Sequence, residues 1–251
     1  MSAALHRTGV AGDPGSPIHR LDPRAKIVGL TGITVVAVST AAWPAFAACA
    51  AALAAIAAAA RVSPRTVWSR VKAILPLVVF VAALVPFVRG GPSVQVGPVA
   101  LSEAGLATFA LVTVKATIGA TGAVLLGATT SFPDILHGLE RLRAPRLLVV
   151  IAAFMHRYVF VIAAEARRMR SALAARAYRP RHLGQAGALG RLVTGLFLRS
   201  YERGERVYVA MLARGYAGTM PRFGVLGFGR ADVLFLVALA AVVLPPRVVA
   251  G

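Results

Sequence analysis

The sequence predicts an all-α, polytopic membrane protein with about five transmembrane helices and a large basic segment on the cytoplasmic side. Three observations carry this. The 251 residues are 58% hydrophobic and 15% charged, with a mean hydropathy of +0.73, more apolar surface than one soluble core of this size encloses. The apolar residues fall in long runs separated by short basic connections. The net charge of +19, from 28 Lys and Arg against 9 Asp and Glu, lies between those runs rather than on a soluble aromatic-bearing domain. That arrangement points to a lipid bilayer and protein partners, not to nucleic acid.

Residues 1–25 read as a cytoplasmic N-terminal segment. The first 20 (MSAALHRTGVAGDPGSPIHR) are polar, rich in Gly and Pro, and lack the apolar stretch of a cleavable signal peptide. Residues 26–130 read as a membrane domain of four spans. Ile27–Ala60 is almost uncharged over 34 residues, which as one helix would be ~51 Å long at ~1.5 Å per residue, against a hydrocarbon core of ~30 Å. It must fold back, and Trp43-Pro44, an interfacial aromatic followed by a helix starter, marks the turn between spans over about 26–42 and 45–60. A third span, about Ala73–Val88, lies between Arg70 with Lys72 and Arg89-Gly90-Gly91-Pro92; a fourth covers about Ala104–Thr130. Residues 231–251 hold a final span, Val233–Leu244, which stops at Pro245-Pro246.

Orientation follows from Lys and Arg in the short connections. Arg7, Arg20, Arg24 and Lys26 precede the first span, and Arg61, Arg65, Arg70 and Lys72 follow the second, so both sets are expected in the cytoplasm. The 43–44 turn is uncharged and the 89–103 loop carries only Arg89 and Glu103, as suits the outer face. Five spans then place the N-terminus inside and the C-terminus outside a bacterial-type inner membrane.

Residues 131–230 contain 17 Arg and no Lys. Arginine offers a planar fork of donors and is less hydrated than lysine, which suits protein interfaces. Within this segment, 146–164 (RLLVVIAAFMHRYVFVIAA) resembles a sixth span, but His156-Arg157 falls at its middle and Arg146 and Arg167 flank opposite ends. The expectation is a helix that packs on or dips into the inner face and continues as an amphipathic stretch with Ile162, Ala166, Met169 and Leu173 on one stripe.

The same segment contains an internal echo. Ala172-Leu173-Ala174-Ala175-Arg176-Ala177-Tyr178 is followed 38 residues later by Ala210-Met211-Leu212-Ala213-Arg214-Gly215-Tyr216. Each ends a predicted helix: Gly215 is a natural residue just past a C-cap, and Pro180 cannot continue the first. One arginine at a helix C-terminus is explained by the macrodipole alone. Two copies of Ala-Arg-(Ala/Gly)-Tyr fit two equivalent pockets on a two-fold partner, each receiving an arginine.

Together these residues resemble the transmembrane T component of energy-coupling factor transporters, in particular the cobalt-type CbiQ group. The family's Leu-Asp-Pro-Arg-x-Lys start of the first span is matched by Leu21-Asp22-Pro23-Arg24-Ala25-Lys26, and its Thr-x-x-Pro-x-x-Leu segment by Thr130-Ser131-Phe132-Pro133-Asp134-Ile135-Leu136 with Leu139 and Leu142. Of its two Ala-Arg-Gly coupling motifs, Ala213-Arg214-Gly215 is complete and Ala175-Arg176-Ala177 has Ala for Gly. The run Arg199-Ser200-Tyr201-Glu202-Arg203-Gly204-Glu205-Arg206-Val207-Tyr208 is also similar, and the resemblance covers most of residues 16–230. It implies a non-catalytic scaffold whose cytoplasmic coupling helices insert two arginines into a pair of ABC-type ATPase subunits. ATPase closure would then tilt a substrate-binding membrane subunit and carry cobalt inward, or biotin or another vitamin on the same scaffold.

The remaining residues agree with that division of labour. No Gly-x-x-x-x-Gly-Lys-(Ser/Thr) cradle occurs, so ATP is hydrolysed by another chain. His6, His19, His137, His156 and His182 include no i, i+4 pair, and the lone Cys49 sits in an Ala-rich run, so neither a metal site nor a bound cofactor is expected here. Lys115, mid-way along the fourth span, costs ~2.5–3.5 kcal/mol on insertion scales. It either holds the substrate subunit or a partner carbonyl, or snorkels. A membrane enzyme is the more distant alternative, because Asp22, Asp134, Glu140, Glu165, Glu202, Glu205 and Asp232 all have nearby arginines to pair with. So is a plain lipid anchor.

Overall fold

The computed structural model describes residues 16–83, 93–96, 99–176, 178, 186–217 and 227–246. Its helices are α1 (Pro17–Arg20), α2 (Pro23–Ser39), α3 (Trp43–Ala59), α4 (Pro64–Ala83), α5 (Glu103–Thr129), α6 (Phe132–Arg141), α7 (Arg146–Ala175), α8 (Ala186–Ala213) and α9 (Arg230–Val243). The all-α expectation holds, with one addition. Strands β1 (Ser93–Val96) and β2 (Val99–Ser102) pair antiparallel in the expected loop before α5, with Val94 opposite Leu101 and Val96 opposite Val99.

Local chemistry sets the helix starts. Asp22 caps α2: its Oδ1 accepts the Arg24 N–H at 2.9 Å, and Pro23 takes the first helical position, where no donor is needed. The long apolar run folds back at Thr40–Ala42, and Trp43 and Pro44 open α3. Helix α4 begins nine residues before the expected Ala73, because the Ser63 carbonyl already accepts the Thr66 N–H at 2.9 Å. The expected third span's residues 84–88 lie outside the described residues. At α6, Ser131 caps through its side chain and hydrogen-bonds Asp134 Oδ2, so the Thr130–Pro133 signature is a helix start.

The chain forms two compact units, 1–142 with 226–251, and 143–225. In the first, α2 lies at the centre and packs against α3, α5, α6 and α9; α3 and α4 also pack on α5. Ile33, Cys49 and Leu125 are among its most completely enclosed side chains. Close approaches use glycine: at Gly29 an added Cβ would meet Phe235 Cε1 at 2.9 Å, and at Gly138 it would meet Ile27 Cδ1 at 2.9 Å. The face of α2 turned from this core carries exposed Val28, Val35 and Val38, and α9 exposes Val233, Leu234 and Val237. Helices apolar on both faces are solvated by lipid.

The second unit contains α7 and α8. The expected region 131–230 is thus divided, since α6 packs on α2 in the first unit. Among the described residues, two helices are long and apolar enough to cross a membrane: α5, over Ala107–Thr129, and α7. The latter is one continuous helix of 30 residues in which 146–164 is the first part.

Candidate functional site

The two echo motifs end their helices in the same way. At the end of α8, the Tyr216 N–H bonds Met211 O at 3.0 Å and the Gly215 N–H bonds Leu212 O at 2.9 Å, with Gly215 at φ +80°. This paired closure is a Schellman motif, which glycine allows without strain. At the end of α7, the Tyr178 N–H bonds Leu173 O at 3.2 Å, the equivalent outer bond of the same motif. Ala177, the residue that departs from the family pattern, lies outside the described residues. Arg176 is the C-cap residue of α7 and Arg214 occupies the corresponding place after Ala213. Both are exposed, as are Ala175 and Ala213.

The two helices run antiparallel. Met169 of α7 meets Gly195 of α8, where an added Cβ would lie 3.3 Å from Met169 Cε. One helical turn away, the Glu165 carboxylate takes an ion pair from Arg168 on its own helix and a second from Arg199 on α8. Its side chain keeps 15% of its exposure, against 61% for Arg199. The Arg168 and Arg199 hydrogen bonds hold the Glu165 carboxyl below the usual carboxylate range. Counting ~1.5 Å per residue from this contact, Arg176 lies ~16 Å along α7 and Arg214 ~22 Å the other way along α8, so the arginines sit at opposite ends, up to ~40 Å apart.

Beyond Glu165 the helices enclose a groove of about 510 Å³ lined by Ile151, Phe154, Met155, Tyr158 and Ile162 of α7 and by Arg203, Val207, Tyr208 and Met211 of α8, with Tyr216. It is predominantly apolar. His156 and Arg157 stand beside aromatic rings, His156 edge-on to Phe160 and Arg157 5.9 Å from the Tyr158 ring centre.

In the first unit, Lys115 Nζ donates to Val38 O at 2.7 Å. That carbonyl belongs to the last turn of α2, where backbone acceptors have no intrahelical donor. The structure therefore gives Lys115 a carbonyl partner within its own chain. Lys26 Nζ, 3% exposed, donates to His19 O at 3.2 Å and Thr129 O at 3.1 Å. It ties the start of α2 to the end of α5.

Sequence reasoning missed Glu165–Arg199 and the role of Asp232. Glu165 is the one acidic residue of α7, a signal that could have found the first. Asp232, three residues after Gly229, accepts its N–H at 2.8 Å; that part is legible as a helix start, while the partner contributed by Asp22 is not.

The model of the CbiQ family, described as cobalt transport protein, matches residues 14–223. The chain is 31% identical over 166 residues to the cobalt transport protein CbiQ of Rhodobacter capsulatus, covering 64% of each chain. It is 29% identical over 222 residues to the energy-coupling factor transporter transmembrane protein EcfT of Thermanaerovibrio acidaminovorans, covering 82% of this chain and 81% of that one. It is 28% identical over 244 residues to a putative ABC transporter ATP-binding protein of Bifidobacterium longum, covering 91% of this chain but 31% of that protein. The chain thus spans a little under two thirds of the Rhodobacter protein's length.

Proposed function

The chain belongs to the CbiQ cobalt transport protein family, and from that premise we propose that it is the coupling scaffold of an ATP-driven uptake transporter. In this reading the first unit sits in a bacterial-type inner membrane as a multi-pass bundle with its N-terminus in the cytoplasm. Helices α7 and α8 form the coupling region. Arg176 and Arg214, flanked by Ala175, Ala177, Ala213 and Gly215, enter two ATPase subunits.

The observation that carries this is the pair of like helix ends, each closing on a Tyr N–H and each presenting an exposed arginine, at opposite ends of one antiparallel pair. Up to ~40 Å between them suits two separate protein chains better than one pocket. When ATP draws the two ATPases together, each arginine is pulled with the subunit that holds it. The Glu165 link to Arg199 resists their sliding apart, so the displacement becomes a movement of the helix pair as a whole. The apolar groove beyond that link gives a substrate-binding membrane subunit a surface to follow. Lys115, already engaged by Val38 O, is a secondary contact at most in this scheme. The chain itself carries out no catalysis.

The similarity to CbiQ of Rhodobacter capsulatus favours cobalt as cargo. The longer match to EcfT of Thermanaerovibrio acidaminovorans, whose name specifies no cargo, favours a second reading in which the same scaffold serves a vitamin. Co-expression with an ATPase pair and a candidate substrate subunit, followed by uptake of labelled cobalt or labelled biotin, separates them. Cobalt accumulation that needs ATP and this chain supports the first reading. Uptake of neither cargo with any partner set overturns the transporter assignment.

A further inference from the structure

Helix α4 turns two chemically distinct faces outward and inward. Val71, 2% exposed, and Val67 pack into the core of the first unit. Arg65, Trp68 and Lys72 stand at i, i+3 and i+7, on one face, and all three are exposed, Trp68 at 61%. No Asp or Glu occurs in the sequence between Asp22 and Glu103, and among the described residues neither Arg65 nor Lys72 joins an ion pair. The helix runs on from Lys72 into the apolar stretch Ala73–Ala83.

We propose that Arg65, Trp68 and Lys72 form a headgroup site for an anionic glycerophospholipid of the leaflet at which α4 begins. The two cations lie ~10 Å apart along the helix axis, and both side chains are long enough to converge on one phosphodiester above the indole. Arginine supplies a fork of donors and lysine a point charge. The indole places its ring at the ester level and its N–H toward the phosphate or an ester carbonyl, the usual position of tryptophan at a bilayer boundary. Insertion bias alone asks for cations anywhere in the connection. It does not ask for an exposed indole bracketed by two unpaired cations on the face turned from the core. The inference rests on the membrane location of the family and is independent of the coupling role of α7 and α8.

The chain has two tryptophans, Trp43 and Trp68, so a Trp43→Phe variant reports on Trp68 alone. Reconstituted in phosphatidylcholine vesicles with a minority of phosphatidylglycerol, its fluorescence should be quenched several-fold more by acyl-brominated phosphatidylglycerol than by an equal amount of acyl-brominated phosphatidylcholine. Adding Arg65→Gln and Lys72→Gln, with Arg61 and Arg70 kept to preserve insertion, should bring the two quenchers level. Should that variant fail to insert, raising the salt concentration on the Trp43→Phe protein must itself reduce the preference. Soluble glycerophosphate should not compete. Equal quenching by the two lipids, a preference that survives the double substitution or high salt, or full competition by glycerophosphate would each overturn the site. Failure of the coupling assignment would show in ATP-dependent uptake and leave the quenching ratio unchanged.

Discussion

The backbone N–H of Asp22 donates to Asp232 Oδ1 at 2.7 Å, across 210 residues of sequence. The same Asp232 carboxylate accepts the Gly229 N–H through Oδ2 at 2.8 Å, and its side chain is buried in a residue 4% exposed. One carboxylate therefore starts α9 and fastens it to the start of α2. Asp232→Ala leaves two backbone donors without their acceptor, at about 1–3 kcal/mol for a buried unsatisfied group. Thermal unfolding of the detergent-solubilised protein should show that loss, and Asp232→Asn, which keeps one acceptor oxygen, should lose less.

Gly138 lets α6 lie against the start of α2. A Cβ there would stand 2.9 Å from Ile27 Cδ1, 3.3 Å from Pro23 Cβ and 3.5 Å from the Arg24 backbone nitrogen. The isoleucine tip can yield; the proline ring and backbone cannot. Gly138→Val should therefore cost about 1–3 kcal/mol by overpacking, measurable as a lower unfolding midpoint. Gly127, where nothing lies within 4 Å of an added Cβ, serves as the control and should tolerate alanine.

The starts and ends of elements were legible in the sequence wherever a residue's own chemistry decided them. Asp22-Pro23 and Ser131 with Asp134 announce helix starts, Trp43-Pro44 the fold-back, and Gly215 a helix end, because caps and turns act over three or four residues. The hairpin of Ser93–Val96 and Val99–Ser102 was overlooked, although Val94, Val96, Val99 and Leu101 alternate with smaller or polar residues as strands do. What local chemistry cannot supply is the partner across the fold. Asp232 reads as an interface acid until Asp22 is brought to it. Lys115 reads as an isolated intramembrane charge until the last turn of α2 presents Val38 O. The like ends of α7 and α8, each an Arg followed two residues on by a Tyr, were legible because the pattern is repeated, and repetition survives without knowledge of the fold.

Lys115→Met removes the donor to Val38 O. A carbonyl at the end of a helix then loses one hydrogen bond, worth about 0.5–1.5 kcal/mol. The expected outcome is a modest drop in thermal stability with undiminished recovery of a co-expressed substrate subunit. Lost recovery at unchanged stability would instead assign Lys115 to the partner.

Glu165 makes the contact between α7 and α8 dependent on pH. Its carboxyl titrates below the usual range because the charged form is held by Arg168 and Arg199. The stabilisation is therefore fully present above the ordinary carboxylate pKa of about 4.3 and is lost as pH falls through the lowered value. Spin labels at Ser171 and Leu189, both exposed, should report a narrow distance distribution at neutral pH that broadens in acid. Glu165→Gln should be broad at neutral pH already and lose that acid dependence.

The most direct test of the coupling assignment is the charge reversal Arg176→Glu with Arg214→Glu, made in a chain whose membrane insertion is checked separately. Tagged wild type and double variant are each purified with co-expressed ATPase and substrate subunits, and ATP-dependent uptake of labelled cobalt is measured in the same cells. The account predicts that the variant inserts normally, loses the ATPases from the complex and takes up no cobalt. Full recovery of the ATPases with undiminished uptake would contradict it.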